Sequence, residues 1–167
     1  MTNDGEQFDR EHLLMWQQAL LEAMAFVAVA STALYAAAAL HLTLVEYPAW
    51  ARVGAEAALV QSVNSFQRAP LLQTPVAAIG CIAAIGASAL GGGVSWTFAA
   101  ACIGLVVPFT AVVMPVSRSL FGPDHEPQSA ETRRLLKEWS TMHRVRTALS
   151  LAAAVVMIFR FLMMTAH

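Results

Sequence analysis

Four stretches of this chain are dominated by apolar residues, and polar residues collect almost entirely between them. The stretches cover residues 23–45, 71–90, 95–116 and 145–164. Each reaches the roughly 20 residues that a helix needs to cross a bilayer. The pattern between Arg68 and Arg118 is the clearest, because no Asp, Glu, Lys or Arg interrupts it. Backbone groups in lipid must be paired within a helix or a closed barrel. The stretches are long, continuous and rich in alanine, so they predict helices. The expected fold is all-α, a polytopic membrane protein with a four-helix bundle. Residues 1–22 form an N-terminal interfacial segment and residues 23–167 the membrane domain.

Punctuation along the chain refines this outline. Residues 11–22, with Leu13, Leu14, Trp16 and Leu20, predict an interfacial helix that leads into span one. Gly91, Gly92 and Gly93 break the pattern after span two and predict a turn. Pro108 falls inside span three and predicts a kink, since proline removes one helical hydrogen bond. Phe121-Gly122-Pro123-Asp124 is a turn signal. Ser129 is placed to cap a new helix, with Glu131 in its first turn. That helix is polar at first and runs on as span four, where Arg160 is placed to snorkel to the interface.

Composition and charge change the picture in three ways. The chain is 57% hydrophobic and 13% charged, against roughly a quarter charged in a soluble domain, so lipid is its first partner. The formal net charge of −1 gives no footing for nucleic acid. The acidic start, MTNDGEQFDREH, does not read as a secretory signal. Loops one and three with their flanks carry Arg52, Arg68, Arg118, Arg133, Arg134, Lys137, Arg144 and Arg146, whereas the opposite side has Arg10 and Arg160. Basic residues favour the cytoplasm, so both loops are expected there, with the plasma (inner) membrane as the location. Cys81 and Cys102 stand alone in apolar segments and are expected to be small fillers.

Candidate chemistry gathers at the cytoplasmic end. Span one ends in His41-Leu-Thr-Leu-Val-Glu46-Tyr47-Pro48, and span four opens with Trp139-Ser-Thr-Met-His143-Arg144-Val-Arg146. Trp139, His143 and Arg146 fall at i, i+4 and i+7, so they share one side of a helix. Leu135 and Leu136 extend that side, which turns it toward protein. Ionisable groups near membrane depth are costly and tend to be functional. A bland role for Glu46 is also open, an ion pair with Arg146 or Arg52 that tethers two helix ends. Asn64, Gln67 and Gln73 beside span two are expected to serve interface hydrogen bonds.

The residues resemble a known family. Four spans, Glu46-Tyr47-Pro48 ending the first, Met114-Pro115-Val116 ending the third and Trp139-x-x-x-His143-x-x-Arg146 opening the fourth look like the DUF1772 family, which includes the anthrone oxygenases of polyketide pathways. The resemblance covers nearly the whole chain, and the Trp-His-Arg element is its most specific part. It implies an oxidoreductase, a monooxygenase that uses O₂ on an aromatic polyketide-like or phenolic substrate. In that reading His143 is the base, Glu46 orients it or shares its role, and Arg146 steadies the substrate's negative oxygen. Trp139 and Tyr47 stack on the flat ligand, beside His41 and Ser117. Members often carry an asparagine after the Met-Pro-Val where this chain has Ser117, which puts a different substrate in view.

Other functions stay open on the residues. His41, Glu46 and His143 as imidazole and carboxylate donors would suit iron or copper, and two histidines on different helices would suit a haem. The small-residue spans, with Gly80, Gly86 and Gly104, would equally suit a non-enzymatic accessory subunit or scaffold, in a homo-oligomer or a larger membrane complex. A transporter fits less well, since no acid lies mid-span and no repeat pair is present.

Overall fold

The computed structural model describes residues 3–53, 55–106 and 129–166, together with Pro108, Phe109, Val113, Pro115 and Ser117. Helices carry the architecture, and no strand occurs among the described residues. Helix α1 is Asn3–His41, and a wide π turn, Leu42–Glu46, joins it to the short α2, Tyr47–Val53. Helix α3 is Ala55–Ala87 and α4 is Val94–Gly104. The last helix, α5, is Ala130–Thr165. The stretches Gln7–Ala49, Leu71–Gly92 and Ala130–Thr165 are long and apolar enough to cross a membrane, and Val94–Gly104 is a shorter apolar helix.

Each long helix packs on two neighbours. Helix α1 touches α3 and α5, and α4 touches the same two, so the four form a ring. The chain is thus a helical membrane bundle. Its core is made of small residues: Ala25, Ala28, Ala39, Ala84, Ala87, Ala99 and Ala153 are all fully buried. The larger side chains Trp96, Ile103 and Met157 fill what remains. Phe26, Leu34, Ile82, Ile85, Phe98 and Phe159 point outward instead. A soluble bundle would reverse this. In lipid an outward-facing Ile or Phe loses nothing, and close backbone approach is what favours association. At the α1–α3 contact a Cβ on Gly80 would meet Thr32 Oγ1 at 2.6 Å, so glycine is what lets these helices touch.

The breaks have local causes. Helix α4 stops at Gly104, the residue whose carbonyl would have bonded the missing N–H of Pro108. Val106, Pro108, Phe109, Val113, Pro115 and Ser117 are helical beyond it. The expected glycine turn is present, with Gly91 at φ 97° and ψ 10°, a conformation that costs other residues about 1–2 kcal/mol. Arg160 does more than snorkel, since its Nη2 donates to the Gly92 carbonyl at 3.1 Å and clips α5 to that turn. The wide turn at residues 42–46 precedes Pro48. There the Tyr47 N–H reaches Leu42 O, one residue further back than in an α-helix. Ser129 caps α5 as expected, its Oγ accepting from the Thr132 N–H at 3.0 Å.

Helices α1 and α5 overshoot the bilayer. At 1.5 Å per residue their 39 and 36 residues span about 58 and 54 Å, against roughly 30 Å of hydrocarbon. Residues 11–22 lie in the same unbroken helix as span one. The turn at residues 121–124 lies outside the described residues. Cys81 and Cys102 are free thiols, and Cys81 Sγ donates to Ala100 O at 3.5 Å.

Candidate functional site

A second, smaller core sits at the end of the bundle opposite the glycine turn. Val113, Leu135 and Trp139 are its buried members, with Tyr47, Phe109, Leu136 and Met142 packed around them. Three elements meet there. The start of α2, just after the π turn, presents Tyr47, the end of span three presents Val113 and Ser117, and the third and fourth turns of α5 present Trp139 and His143.

The rings form a contiguous wall. Trp139 and His143 lie edge to face with centroids 4.3 Å apart, as the i, i+4 spacing requires. Tyr47 packs 5.1 Å from Trp139 and 5.8 Å from His143. His143 is 8% exposed, and neither ring nitrogen has a hydrogen-bond partner among the described residues. A buried polar group left unmet costs about 1–3 kcal/mol, which is why an imidazole in this condition draws attention. The helix below it is held by hydroxyls. Thr147 Oγ1 bonds His143 O at 2.9 Å and meets Thr43 Oγ1 of the π turn at 2.9 Å.

Ser117 has a defined place behind the indole. It accepts from Trp139 Nε1 at 3.1 Å and donates to Val113 O at 3.0 Å. Ser117→Ala removes that acceptor and is expected to lower stability by about 1 kcal/mol. Thermal unfolding in detergent, followed by tryptophan emission, checks this; an unchanged midpoint and spectrum would mean the bond orients nothing.

Arg146 lies one turn beyond His143. Its Nη1 donates to Gln73 Oε1 of α3 at 3.2 Å, and its Cζ stands 5.8 Å from the centroid of the Tyr35 ring on α1. Tyr35 is the participant that sequence reasoning missed. It is 3% exposed and sits in an alanine run, where a lone phenol is the available signal. Gln73 makes the interface hydrogen bond expected of it, and its partner is the arginine of the site.

His41 and Glu46 stand on an adjoining face. An open cleft of about 770 Å³ is lined by Ala38, His41, Leu42, Glu46, Arg68, Ala69 and Gln73. His41 Nδ1 and Glu46 Oε1 are 3.6 Å apart, with the His41 side chain 60% exposed and that of Glu46 28%. The tether expected between Glu46 and Arg146 or Arg52 is therefore replaced by this pair. The expected convergence of His41, Glu46 and His143 on one ion is also corrected. Among the described residues no three His, Cys, Asp or Glu side chains gather closely enough to hold a metal. The reason is burial: His143 is enclosed by Trp139 and Tyr47, whereas His41 and Glu46 border the cleft.

No curated protein and no solved structure matches this chain. The family model described as anthrone oxygenase matches residues 62–156, a stretch that holds Gln73, Ser117, Trp139, His143 and Arg146 and stops short of His41, Glu46 and Tyr47. That match covers more than half of the sequence, and the chain belongs to the anthrone oxygenase family.

Proposed function

We propose that this protein oxidises a flat aromatic substrate of the anthrone or phenol type with O₂, in the region bounded by Tyr47, Trp139, His143 and Arg146. A membrane oxygenase-like role holds for the family as a whole. The observation that carries the finer reading is His143, buried among rings with both nitrogens unmet. An imidazole with both nitrogens unengaged has a lone pair free to accept a proton.

The chemistry needs a base and a nearby positive charge. A ring CH₂ beside an aryl ketone system loses a proton to His143, and the electron-rich enolate reacts with O₂. The carbon ends as a ketone, having lost two hydrogens and gained one oxygen. The second oxygen atom leaves as water, so the substrate itself supplies the electrons. Arg146 supplies the positive charge that favours the anion. Trp139 and Tyr47 hold the rings, and Ser117 sets the indole. Glu46 and His41, in the cleft beside Gln73, contact the polar rim of the substrate. The test is oxygen uptake by purified protein with an anthrone, one O₂ being consumed per quinone formed. Absence of uptake across anthrones and related phenols would remove this reading.

The eight basic residues of loops one and three and their flanks favour a cytoplasmic position for this end of the bundle, in the plasma (inner) membrane. A phosphatase fused after residue 167 should then be active, and one inserted at residues 121–124 inactive. The reverse pattern would invert the orientation.

A further inference from the structure

Arg146 has five N–H donors in one rigid plane. Its Nη1 is engaged by Gln73 Oε1 at 3.2 Å, and the Tyr35 ring flanks the guanidinium. Nε and Nη2 make up a different edge. Both atoms are out of solvent, and neither has a hydrogen-bond partner among the described residues. Glu46 stands beside His41 and Glu131 pairs with Arg134, and among the described residues no acid is paired with Arg146.

That edge has a particular shape. Nε–H and one N–H of Nη2 point in the same direction, at the spacing of the two oxygens of a carboxylate. A cation withdrawn from water with two parallel donors unmet is costly until such an acceptor arrives. Gln73 fixes the other side of the plane, so the guanidinium cannot swing freely to meet a single oxygen. The adjoining cleft is lined by His41 and Arg68 as well as by Glu46, with His41 3.6 Å from Glu46.

We infer that the Nε–Nη2 edge of Arg146 is a carboxylate fork, and that this site prefers a polycyclic aromatic acid over the corresponding neutral ring system. The inference rests on reading the Tyr47–Trp139–His143 wall as an aromatic binding site. It assigns Gln73 as the positioning residue of the fork.

Binding is measured without turnover, by equilibrium dialysis of the full chain in detergent against anthraquinone-2-carboxylate and its carboxamide. The acid should bind the wild-type protein about tenfold tighter, as a bidentate charge-assisted pair allows. Arg146→Gln should abolish the preference. Arg146→Lys keeps the charge but not the fork, and should retain about a threefold preference or less. Gln73→Leu leaves Arg146 intact and should reduce the preference severalfold. Equal affinity of the two probes for the wild type, or no binding of either, overturns the inference. Undiminished preference in Arg146→Lys also overturns it, by tracing the effect to charge alone. The dialysis needs no turnover, so loss of oxygen uptake bears on the oxygenase reading and loss of acid preference on the fork.

Discussion

Replacing His143 with alanine is expected to lower oxygen uptake by at least 100-fold, within the range that a lost general base produces. The protein should still insert and purify as a folded species. Its nitrogens hold no hydrogen bond among the described residues, so truncation strands no partner. What the variant loses structurally is ring packing against Trp139 and Tyr47. His143→Phe separates the two effects. It keeps a ring of similar size in the same enclosure and removes the nitrogen, so it should fold as well as wild type and be as inactive as the alanine variant. Measurable turnover in His143→Phe would show that the site needs a ring there and not a base. The comparison is informative because the imidazole is buried, where solvent cannot readily substitute for it as a proton acceptor.

The largest expected loss of stability lies at the other end of the bundle, in Gly92→Ala. A Cβ there would stand 2.7 Å from Ala87 O and 2.8 Å from Trp96 Cδ1. One neighbour is backbone and the other is a fully buried indole, so neither gives way easily. Overpacking of this kind costs about 1–3 kcal/mol. Moving Gly92 also disturbs the carbonyl that receives Arg160. The neighbouring Gly91→Ala is a useful contrast. Nothing lies within 4 Å of a Cβ at Gly91, so only its positive φ opposes substitution. Gly92→Ala should therefore lower the thermal midpoint in detergent more than Gly91→Ala does. Whatever remains folded should keep its specific oxygen uptake, because the turn is remote from Trp139 and His143. A smaller shift for Gly92 than for Gly91 would mean that strain, and not contact, governs this turn.

Much of the fold was legible in the chain because the bilayer imposes simple rules. Length and apolar content predicted a helical membrane bundle, three glycines predicted the turn, and Ser129 predicted the start of α5. Pro108 predicted a kink inside span three, and α4 instead ends four residues before it. The alignment of Trp139, His143 and Arg146 followed from helical geometry alone. What stayed hidden was lateral. Spans that are apolar on every side carry little information about which side meets protein. Here the inner face is chosen by size, with alanines within and Phe26, Ile82 or Phe159 without. The partnership of Arg146 with Gln73 and Tyr35 joins residues about 70 and 110 positions apart, and no local period announces it. An ion pair with an arginine was one reading open for Glu46. The turn it occupies sets it beside His41 instead, because the ladder there widens by one residue.

That widened turn has a further meaning for how such a chain can change. A π turn amounts to an ordinary helix with one residue inserted, and it takes up the surplus without disturbing the turns on either side. Loss of a single residue between positions 42 and 46 would return the turn to an ordinary helix and leave Tyr47 facing the ring wall. Gain of one more, with no bulge to absorb it, would rotate Tyr47 and everything after it by about 100° relative to α1. The bearing of Tyr47 thus tolerates deletion and responds to insertion, separately from the part of the molecule that holds it in the membrane.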